Sequence, residues 1–286
     1  MCQFKSGVIL KNNVKIAEGA DDSHSNLLES LGIEDNYINA TKMFVRAELV
    51  PKNGAWWISP KEEPDKWEFI VDQDIVPGWF DDTEYEQRFR EAVCAWWDEH
   101  IFVDRVIDEL NSGYYRLKRC EVKKLCKDVV VMLGSSTVQR MYDSSTVQRM
   151  YDSSTVQRML DNSTVQEMHD NSVVQRMYDS STVQEIYDNS TVRRMYGSST
   201  VQRMHGSSTV QEMCGSSTVQ RMHGSSTVQR MHDSSTVQRM HDSSTVQEMC
   251  GSSTARDFRN YPKIKIIFPP DGEDRFEMVA LKKEDL

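Results

Sequence analysis

The sequence lacks the features that assign a chain to many common classes of protein. Its 286 residues contain no run of 18 apolar residues, which excludes a membrane-spanning helix of ordinary length. The opening residues, MCQFKSGVILKNN, lack the apolar core and cleavage site of a signal peptide. No glycine-rich phosphate-binding loop occurs, and no nucleophile stands beside an evident base. These absences predict a non-enzymatic protein with no cofactor and no membrane span.

Cysteine is also scarce, with 6 residues, and the spacing of these cysteines is irregular, with no CxxC pair. That pattern does not suit the disulfide framework of a small secreted domain. Reduced thiols in a cytoplasmic protein are therefore expected.

An excess of basic residues is missing as well. The formal net charge is −10, and residues 1–126 contain 16 Lys+Arg against 24 Asp+Glu. Residues 127–254 contain 11 against 13, and residues 255–286 contain 7 of each. Since nucleic-acid binding needs an uncompensated basic surface, the sequence predicts that nucleic acid is not a partner.

A nine-residue repeat fills the middle of the chain. The reference unit, Gly206–Cys214, reads GSSTVQEMC, and other units place Asp at the glycine position and Arg at the glutamate position. Valine marks the period in thirteen copies: Val138, Val147, Val156, Val165, Val174, Val183, Val192, Val201, Val210, Val219, Val228, Val237 and Val246.

The nine-residue period excludes a helix and predicts a β-solenoid. Nine residues turn an α-helix through about 900°, so successive valines would fall on opposite faces. The β-branched Thr and Val beside Ser- and Gly-bearing junctions favour short strands and tight turns. We expect two units, or 18 residues, in each coil, giving about seven coils over roughly 33 Å; three units per coil is the alternative.

Strand alternation, with a corner at Gln211–Glu212 and another at Gly206–Ser207, predicts the direction of every side chain in the unit. Glycine at the second corner allows a positive φ, and Asp in other units suits an Asx turn. The inward residues are Ser208, Val210 and Met213, and the outward residues are Thr209, Gln211, Glu212 and Cys214.

The flanks predict two further parts. Residues 1–126 are expected to form an acidic α+β domain, residues 127–254 the solenoid, and residues 255–286 a C-terminal β cap. The predicted elements of the first part are a hairpin at Phe4–Ile16, helices at Ser23–Leu31 and Glu84–Leu110, and strands at Phe44–Pro51 and Trp67–Val76. Strands at Tyr114–Leu117 and Val129–Met132 are expected to lead into the first coil.

The opening MCQFKSGVIL, the run FIVDQDIVPGWF and the STVQxM nonapeptide array together resemble uncharacterised proteins of gut bacteria and their phages. The resemblance covers most of the chain. It implies a phage or mobile-element setting and supplies no catalytic residues.

Two outward positions of the unit could form an interaction face. Arginine beside tyrosine could bind a partner, although a solvated face with ion pairs between coils accounts for the same pattern. An exposed Trp56–Trp57 pair would also suit an interface, but the six tryptophans fit a core equally well. The predicted interaction residues are Arg140, Arg149, Arg158, Arg176, Tyr142, Tyr151, Tyr178, Tyr187, Trp56 and Trp57.

Histidine, cysteine and carboxylate groups are the candidate metal ligands of the chain. An 18-residue coil stacks His205, His223 and His241 in one column, and Cys214, His232 and Cys250 in the other. The absence of ligand spacing such as CxxC favours a stacked surface ladder over a zinc site. An acidic group near Trp79 could bind a cation or serve in acid–base chemistry, but a solvated loop is the simpler account; it comprises Asp72, Asp74, Asp81, Asp82 and Glu84. His24 and His100 are isolated in the sequence.

The sequence therefore predicts a scaffold protein whose repetitive solenoid surface binds a protein partner, such as a host protein, or a second copy of the chain. The alternative is an enzyme or ligand-binding module in residues 1–126 carried on the solenoid.

Overall fold

A computed structural model describes residues 4–19, 21–260 and 262–264. The chain forms two compact units, Met1–Val103 and Asp104–Leu286. The elements of the first unit are strands β1 (Lys5–Leu10), β2 (Asn13–Ile16), β3 (Phe44–Pro51), β4 (Trp67–Val71) and β5 (Ile101–Val103), helices α1 (His24–Ser30), α2 (Tyr37–Ala40) and α3 (Asp82–His100), and 3₁₀ turns at Lys52–Trp57 and Pro64–Lys66.

The strands of the second unit are β6 (Val106–Leu110), β7 (Gly113–Lys118), β8 (Glu121–Leu125), β9 (Val129–Gly134), β10 (Thr137–Met141), β11 (Thr146–Tyr151), β12 (Thr155–Met159), β13 (Thr164–Met168), β14 (Val173–Met177), β15 (Thr182–Ile186), β16 (Thr191–Met195), β17 (Thr200–Met204), β18 (Thr209–Met213), β19 (Thr218–Met222), β20 (Thr227–Met231), β21 (Thr236–Met240), β22 (Thr245–Met249), β23 (Thr254–Ala255) and β24 (Lys263–Ile264).

The N-terminal unit is built on an antiparallel sheet in the order β2-β1-β3-β4. The hairpin of β1 and β2 confirms the prediction for the first apolar runs. Helix α1 begins after Ser23, whose hydroxyl accepts a hydrogen bond from the Asn26 backbone N–H, as predicted for an N-cap. Gly7 lies where α3 comes close to the sheet, because a Cβ there would be 2.8 Å from the Phe89 ring.

Helix α3 ends ten residues before the predicted end at Leu110. Its buried face consists of Tyr85, Phe89, Val93, Trp96 and Trp97. From Ile101 the chain is extended, and Asp104 takes a positive φ of 54° between β5 and β6. The prediction was wrong here because a β-branched and aromatic run such as IFV at a helix end fits a strand as well as a helical face.

The second unit is a parallel β-solenoid of about nine coils with about 18 residues per coil. Even-numbered strands from β6 to β24 form one sheet, which we call the even sheet; odd-numbered strands from β7 to β23 form the odd sheet. From β10 onward, each strand pairs in register with the strand 18 residues later, so that Val138 lies opposite Val156. In the earlier coils the partners are 15 to 17 residues apart. Two units per coil are thus confirmed over three.

The solenoid begins before the predicted boundary at residue 126. Strands β6, β7 and β8 pair in parallel with the strands of the next coil, although they carry no STVQ phrase. They supply the same inward residues in altered form, since Val122 and Leu125 lie opposite Val138 and Met141. These early coils raise the number from the expected seven to about nine.

The interior of the coils has the predicted residues. The repeated Val and Met side chains are inaccessible to solvent up to Val246, and Ile186 replaces Met in the same position. A serine precedes each Thr-Val step and is buried as well, for example Ser208. The predicted corner at Gln211–Glu212 does not interrupt β18, which runs continuously from Thr209 to Met213. Within that strand two successive side chains point outward, Gln and then Glu or Arg. The Val before them and the Met after them therefore both point inward.

The other corner has the positive φ that was predicted, with 52° at Asp143 and 63° at Gly206. The aspartates contact the neighbouring coil: Asp170 Oδ2 accepts a hydrogen bond from the Asp152 backbone N–H at 2.9 Å. The backbone also bonds across coils there, as from Ser207 N–H to the Asp188 carbonyl at 3.0 Å. The corners therefore tie successive coils together.

Strands β23 and β24 extend the two sheets at the C-terminal end of the described chain. The remainder of the predicted cap, residues 265–286, lies outside the described residues.

Candidate functional site

Three potential metal ligands come together in the N-terminal unit, although they are far apart in the sequence. His24 begins α1, Glu48 lies on β3, and Asp72 directly follows β4. Their ligand atoms all lie within 4.8 Å of one another. His24 looked isolated in the sequence, but the structure places it beside two carboxylates. We call these residues the His24 cluster.

The local structure explains why these side chains meet. The imidazole of His24 lies over β3, where its Nε2 is 3.1 Å from the Ala47 carbonyl oxygen. Strand β4 ends at Val71 rather than at Val76 as predicted, because the Gln73 side chain takes over the hydrogen bonding of β3. Its Oε1 accepts from the Arg46 N–H at 2.9 Å, and its Nε2 donates to the Phe44 carbonyl at 3.2 Å. Asp72 is thereby fixed at the edge of the sheet beside His24.

Burial and charge act together on this cluster. The His24 side chain is 10 % exposed, and its Nδ1 is 3.4 Å from Asp72 Oδ2. Burial raises the pKa of Glu48; His24 opposes this rise, whereas the carboxylates of Asp72 and Asp22 add to it. The cluster therefore favours a positive charge among its oxygen atoms.

A polar cleft of about 590 Å³ adjoins the cluster, and Asp72 is one of its lining residues. Asp35 and Arg46 form an ion pair on its wall. Burial would raise the pKa of Asp35, but hydrogen bonds from Ser25 and Arg46 outweigh burial and keep that pKa below its usual value.

The acidic group predicted around Trp79 does not form one site. Asp81 caps α3 by accepting a hydrogen bond from the Glu84 N–H at 2.9 Å, and Asp82 and Glu84 occupy the first turn of that helix. Carboxylates are favourable there because they face the positive end of the helix dipole. Asp72 alone of the predicted group belongs to the His24 cluster.

On the solenoid, the outward arginines of the even sheet form an uninterrupted run. Arg140, Arg158, Arg176 and Arg194 are register partners on four successive coils. Arg193 lies beside Arg194 and replaces the usual glutamine. Tyrosines follow three of these strands. We call the set the Arg–Tyr strip; it comprises Arg140, Arg158, Arg176, Arg193, Arg194, Tyr142, Tyr178 and Tyr196.

The strip is not neutralised along most of its length. Arg194 pairs with Glu212 at 3.0 Å. Arg140 donates to the Tyr142 hydroxyl at 3.3 Å. Among the described residues, neither Arg158 nor Arg176 has a carboxylate within ion-pair distance. The nearest acidic residues in the sequence are the corner aspartates Asp161 and Asp179, each three residues after the arginine.

The odd sheet has a shorter arginine run, Arg203, Arg221 and Arg239, whose first and last members pair with carboxylates. Arg149 pairs with Glu167 at 2.9 Å, and Arg203 pairs with Glu185. An aromatic column runs beside them, with ring centroids 4.9–5.3 Å apart; its members are Tyr151, His169, Tyr187, His205, His223 and His241. This surface has the ion pairs between coils that the sequence allowed.

The structure thus divides the predicted interaction residues between two surfaces. Arg140, Arg158, Arg176, Tyr142 and Tyr178 belong to the even sheet, whereas Arg149, Tyr151 and Tyr187 belong to the odd sheet. They were predicted as one face because the nine-residue period makes neighbouring units look equivalent, although they alternate between sheets.

The tryptophan pair does not form an exposed patch. Trp56 is 1 % exposed and packs against Trp67 and Trp96, with ring centroids 5.6 and 6.4 Å away. Trp57 is half-buried. The Lys52–Trp57 turn buries the first indole under the sheet, so the core interpretation of the tryptophans fits Trp56.

The His and Cys ladders stack in the columns expected for an 18-residue coil. His205 and His223 have ring centroids 5.3 Å apart and nearly parallel planes. The Cys214 backbone N–H donates to the Met195 carbonyl, which places Cys214 after an even strand in the other column.

No protein-family model, no curated protein and no solved structure matches the chain. Within the described ranges, no helix has the length and apolar character needed to cross a membrane.

Little in the sequence predicts the His24 cluster. The predicted N-cap at Ser23 and the predicted strand containing Glu48 were correct. The missing information was the pairing of β3 with β4, which brings residues 24 apart in the sequence to one sheet edge.

Proposed function

We propose that this chain is a non-enzymatic scaffold protein whose solenoid presents the Arg–Tyr strip to a protein partner with an acidic surface. The run of arginines on successive coils of one sheet carries this proposal. The resemblance to phage and gut bacterial proteins adds a host protein as the partner, and the irregular spacing of the cysteines favours the cytoplasm as the setting.

Stacked arginines repel one another in the free protein. Neighbours in a column are about 4.8 Å apart, and at that distance two unit charges in water repel by about 0.9 kcal/mol. Carboxylates of a partner would relieve this repulsion and accept paired hydrogen bonds from each guanidinium. Arginine and tyrosine are also the residues that contribute most often to binding energy at protein interfaces.

The strip is held on a rigid support. Each of its strands pairs with neighbours on both sides, and the Val and Met residues beneath it are fully buried. Because the strands beneath the strip are already ordered, binding has a small entropy cost for the backbone, which favours affinity.

Two substitutions of equal charge change test the proposal. Arg176→Glu alters the strip, and Arg221→Glu alters the equivalent position on the odd sheet. We expect proteins captured from host lysate by the wild-type chain to be retained by Arg221→Glu, lost by Arg176→Glu, and released by moderate salt. Equal behaviour of the two variants would exclude the strip as the binding surface.

A second copy of the chain is the competing occupant of the strip. Residues 1–103 contain 10 Lys+Arg against 20 Asp+Glu, so the N-terminal unit has an acidic surface to offer. Light scattering of the purified chain distinguishes the two cases: salt-sensitive oligomers lost in Arg176→Glu indicate self-association, and a monomer at all salt concentrations favours a foreign partner.

The His24 cluster and its cleft favour a second candidate function, a ligand-binding module in the N-terminal region. This function is independent of the strip, so Asp72→Asn should leave partner capture unchanged.

A further inference from the structure

We propose that His24, Glu48 and Asp72 bind a divalent first-row transition-metal ion of the Zn²⁺ or Mn²⁺ type. This site is separate from the Arg–Tyr strip, and it does not depend on the scaffold function proposed above.

The imidazole of His24 has the arrangement typical of a metal ligand. Its Nε2 lies 3.1 Å from the Ala47 carbonyl oxygen, which can only accept a hydrogen bond, so Nε2 carries the proton. The neutral ring then has its lone pair on Nδ1, on the side of Asp72. Metal-binding histidines are oriented in this way by a carbonyl or carboxylate on the other nitrogen.

The two carboxylates complete a one-nitrogen, two-oxygen donor set. Around a zinc ion with bonds of about 2.1 Å, donor atoms lie about 3–4 Å apart. The three ligand atoms already lie within 4.8 Å of one another. The Asp72 side chain is 57 % exposed and can rotate to close the remaining gap, whereas the buried His24 stays fixed.

The donor set also decides the class of ion. An imidazole ligand disfavours Ca²⁺ and Mg²⁺, which prefer oxygen donors throughout. The absence of thiolate and thioether groups from the His24 cluster disfavours Cu⁺. Imidazole with two carboxylates suits Zn²⁺, Mn²⁺ or Fe²⁺.

The surroundings favour a cation at this place. His24 Nδ1 and Asp72 Oδ2 lie 3.4 Å apart, and Glu48 also has an oxygen within 4.8 Å of both, so one ion could contact all three side chains. The competing explanation is a proton on Nδ1, which would make a His24–Asp72 ion pair. A metal ion bridges all three side chains, whereas a proton joins only two, so Glu48 distinguishes the explanations.

Three protein ligands leave positions on the ion for water or a bound molecule. Asp72 belongs to the cluster and also lines the cleft, and Arg46 is another of the residues that line the cleft. A small anionic molecule in the cleft could therefore reach the ion.

The test is titration of the full-length, metal-free chain with Zn²⁺, followed by calorimetry, and with Co²⁺, followed by its visible absorption. We expect one ion per chain. Glu48→Gln and Asp72→Asn should each weaken binding at least about tenfold, as even outer-shell changes commonly do. His24→Gln should remove the nitrogen contribution to the Co²⁺ spectrum.

Asp74→Asn is the matched control, because Asp74 lines the same cleft but lies outside the cluster. His223→Tyr tests the solenoid ladder as a competing site. The proposal is overturned if the wild-type chain binds neither ion, if Asp72→Asn and Glu48→Gln bind like the wild type, or if His223→Tyr abolishes binding. Since Asp72 is largely exposed, its variant reports on binding even if His24→Gln fails to fold.

Discussion

In the N-terminal unit every buried side chain has its own surroundings, whereas in the solenoid one set of interior residues recurs in each coil. Charge differs between the units as well: residues 1–103 account for a net charge of −10, and residues 104–286 contain 24 Lys+Arg and 24 Asp+Glu. The solenoid is balanced overall, yet its two sheets distribute the charges differently. Function is therefore expected at the two places with a distinctive arrangement of charged groups, the His24 cluster and the arginine run.

The largest expected effect is a loss of stability in the N-terminal unit that the solenoid does not share. Trp56→Ala removes the centre of the tryptophan core and should cost about 3–5 kcal/mol. All six tryptophans lie in the N-terminal unit, so their fluorescence follows that unit, while circular dichroism is dominated by the strands of the solenoid. We expect the midpoint of the fluorescence transition to shift to lower urea concentration and the midpoint of the circular-dichroism transition to remain unchanged. Equal shifts of both signals would contradict independent cores.

The next effect tests the division of charges between the sheets. Deleting residues 198–215 removes one coil and places Arg221 beside Glu185, replacing the pair with Arg203. Deleting residues 198–206 moves later strands to the opposite sheet and places Glu212 beside Glu185.

Both deletions should leave a folded solenoid. The 18-residue deletion creates one new pair of like charges, Arg194 beside Arg230, whereas the nine-residue deletion creates two, so the nine-residue deletion should be less stable by on the order of 1 kcal/mol. Thermal melting followed by circular dichroism measures the difference, which should shrink in high salt. A broad, uncooperative transition in the 18-residue deletion would refute the coil length.

A smaller effect concerns the buried serines. The Ser154 hydroxyl donates to the Tyr151 carbonyl at 2.7 Å, whereas the Ser190 hydroxyl, in the same interior column, has no hydrogen-bond partner among the described residues. Ser154→Ala should lower the free energy of unfolding by about 1 kcal/mol, and Ser190→Ala should leave it unchanged or raise it. Urea denaturation measures the free energy of unfolding of both variants. Equal losses of that free energy would contradict a stabilising hydrogen bond specific to Ser154.

The smallest effect is a pH dependence of the odd sheet. Burial lowers the pKa of His223, and the neighbouring His241 and His205 lower it further, whereas Asp242 raises it. The folded chain then binds a proton less readily than the unfolded chain, whose histidine pKa is near 6.5. Stability should thus be constant above that pH and fall as the pH drops through it toward the folded-state pKa.

His223→Tyr restores the residue found at Tyr151 and Tyr187 in the same column and should weaken this loss. Melting temperatures near pH 7.5 and pH 5 measure it. A variant whose acid sensitivity matched the wild type would exclude the histidine column as its source.

The two units also show what the sequence could and could not predict. In the solenoid, the same residue types recur in thirteen copies of the unit. The prediction that the Val210 and Met213 side chains point inward therefore rests on many equivalent positions. The coil boundary was missed because β6 to β8 keep only the inward apolar residues, and a short apolar run does not separate strand from helix.

In the N-terminal unit no repetition helps. Helix α1, its Ser23 cap and strand β3 follow from local signals, but the approach of His24 to Asp72 depends on strand pairing and on the Gln73 side chain. Such contacts between distant residues are not encoded in periodicity. The Trp56–Trp57 pair illustrates the same limit, because only the packing of the unit decides which indole is buried.

Stacking of residues 18 apart is the claim on which both outer surfaces depend, and distances between spin labels test it most directly. Arg158 and Arg230 are exposed, lie on the even sheet and are separated by four coils. Labels at these positions should be about 19 Å apart, with a narrow distribution. A broad distribution near 45 Å, as for a flexible chain of that length, or a distance near 108 Å, as for a helix, would contradict the account.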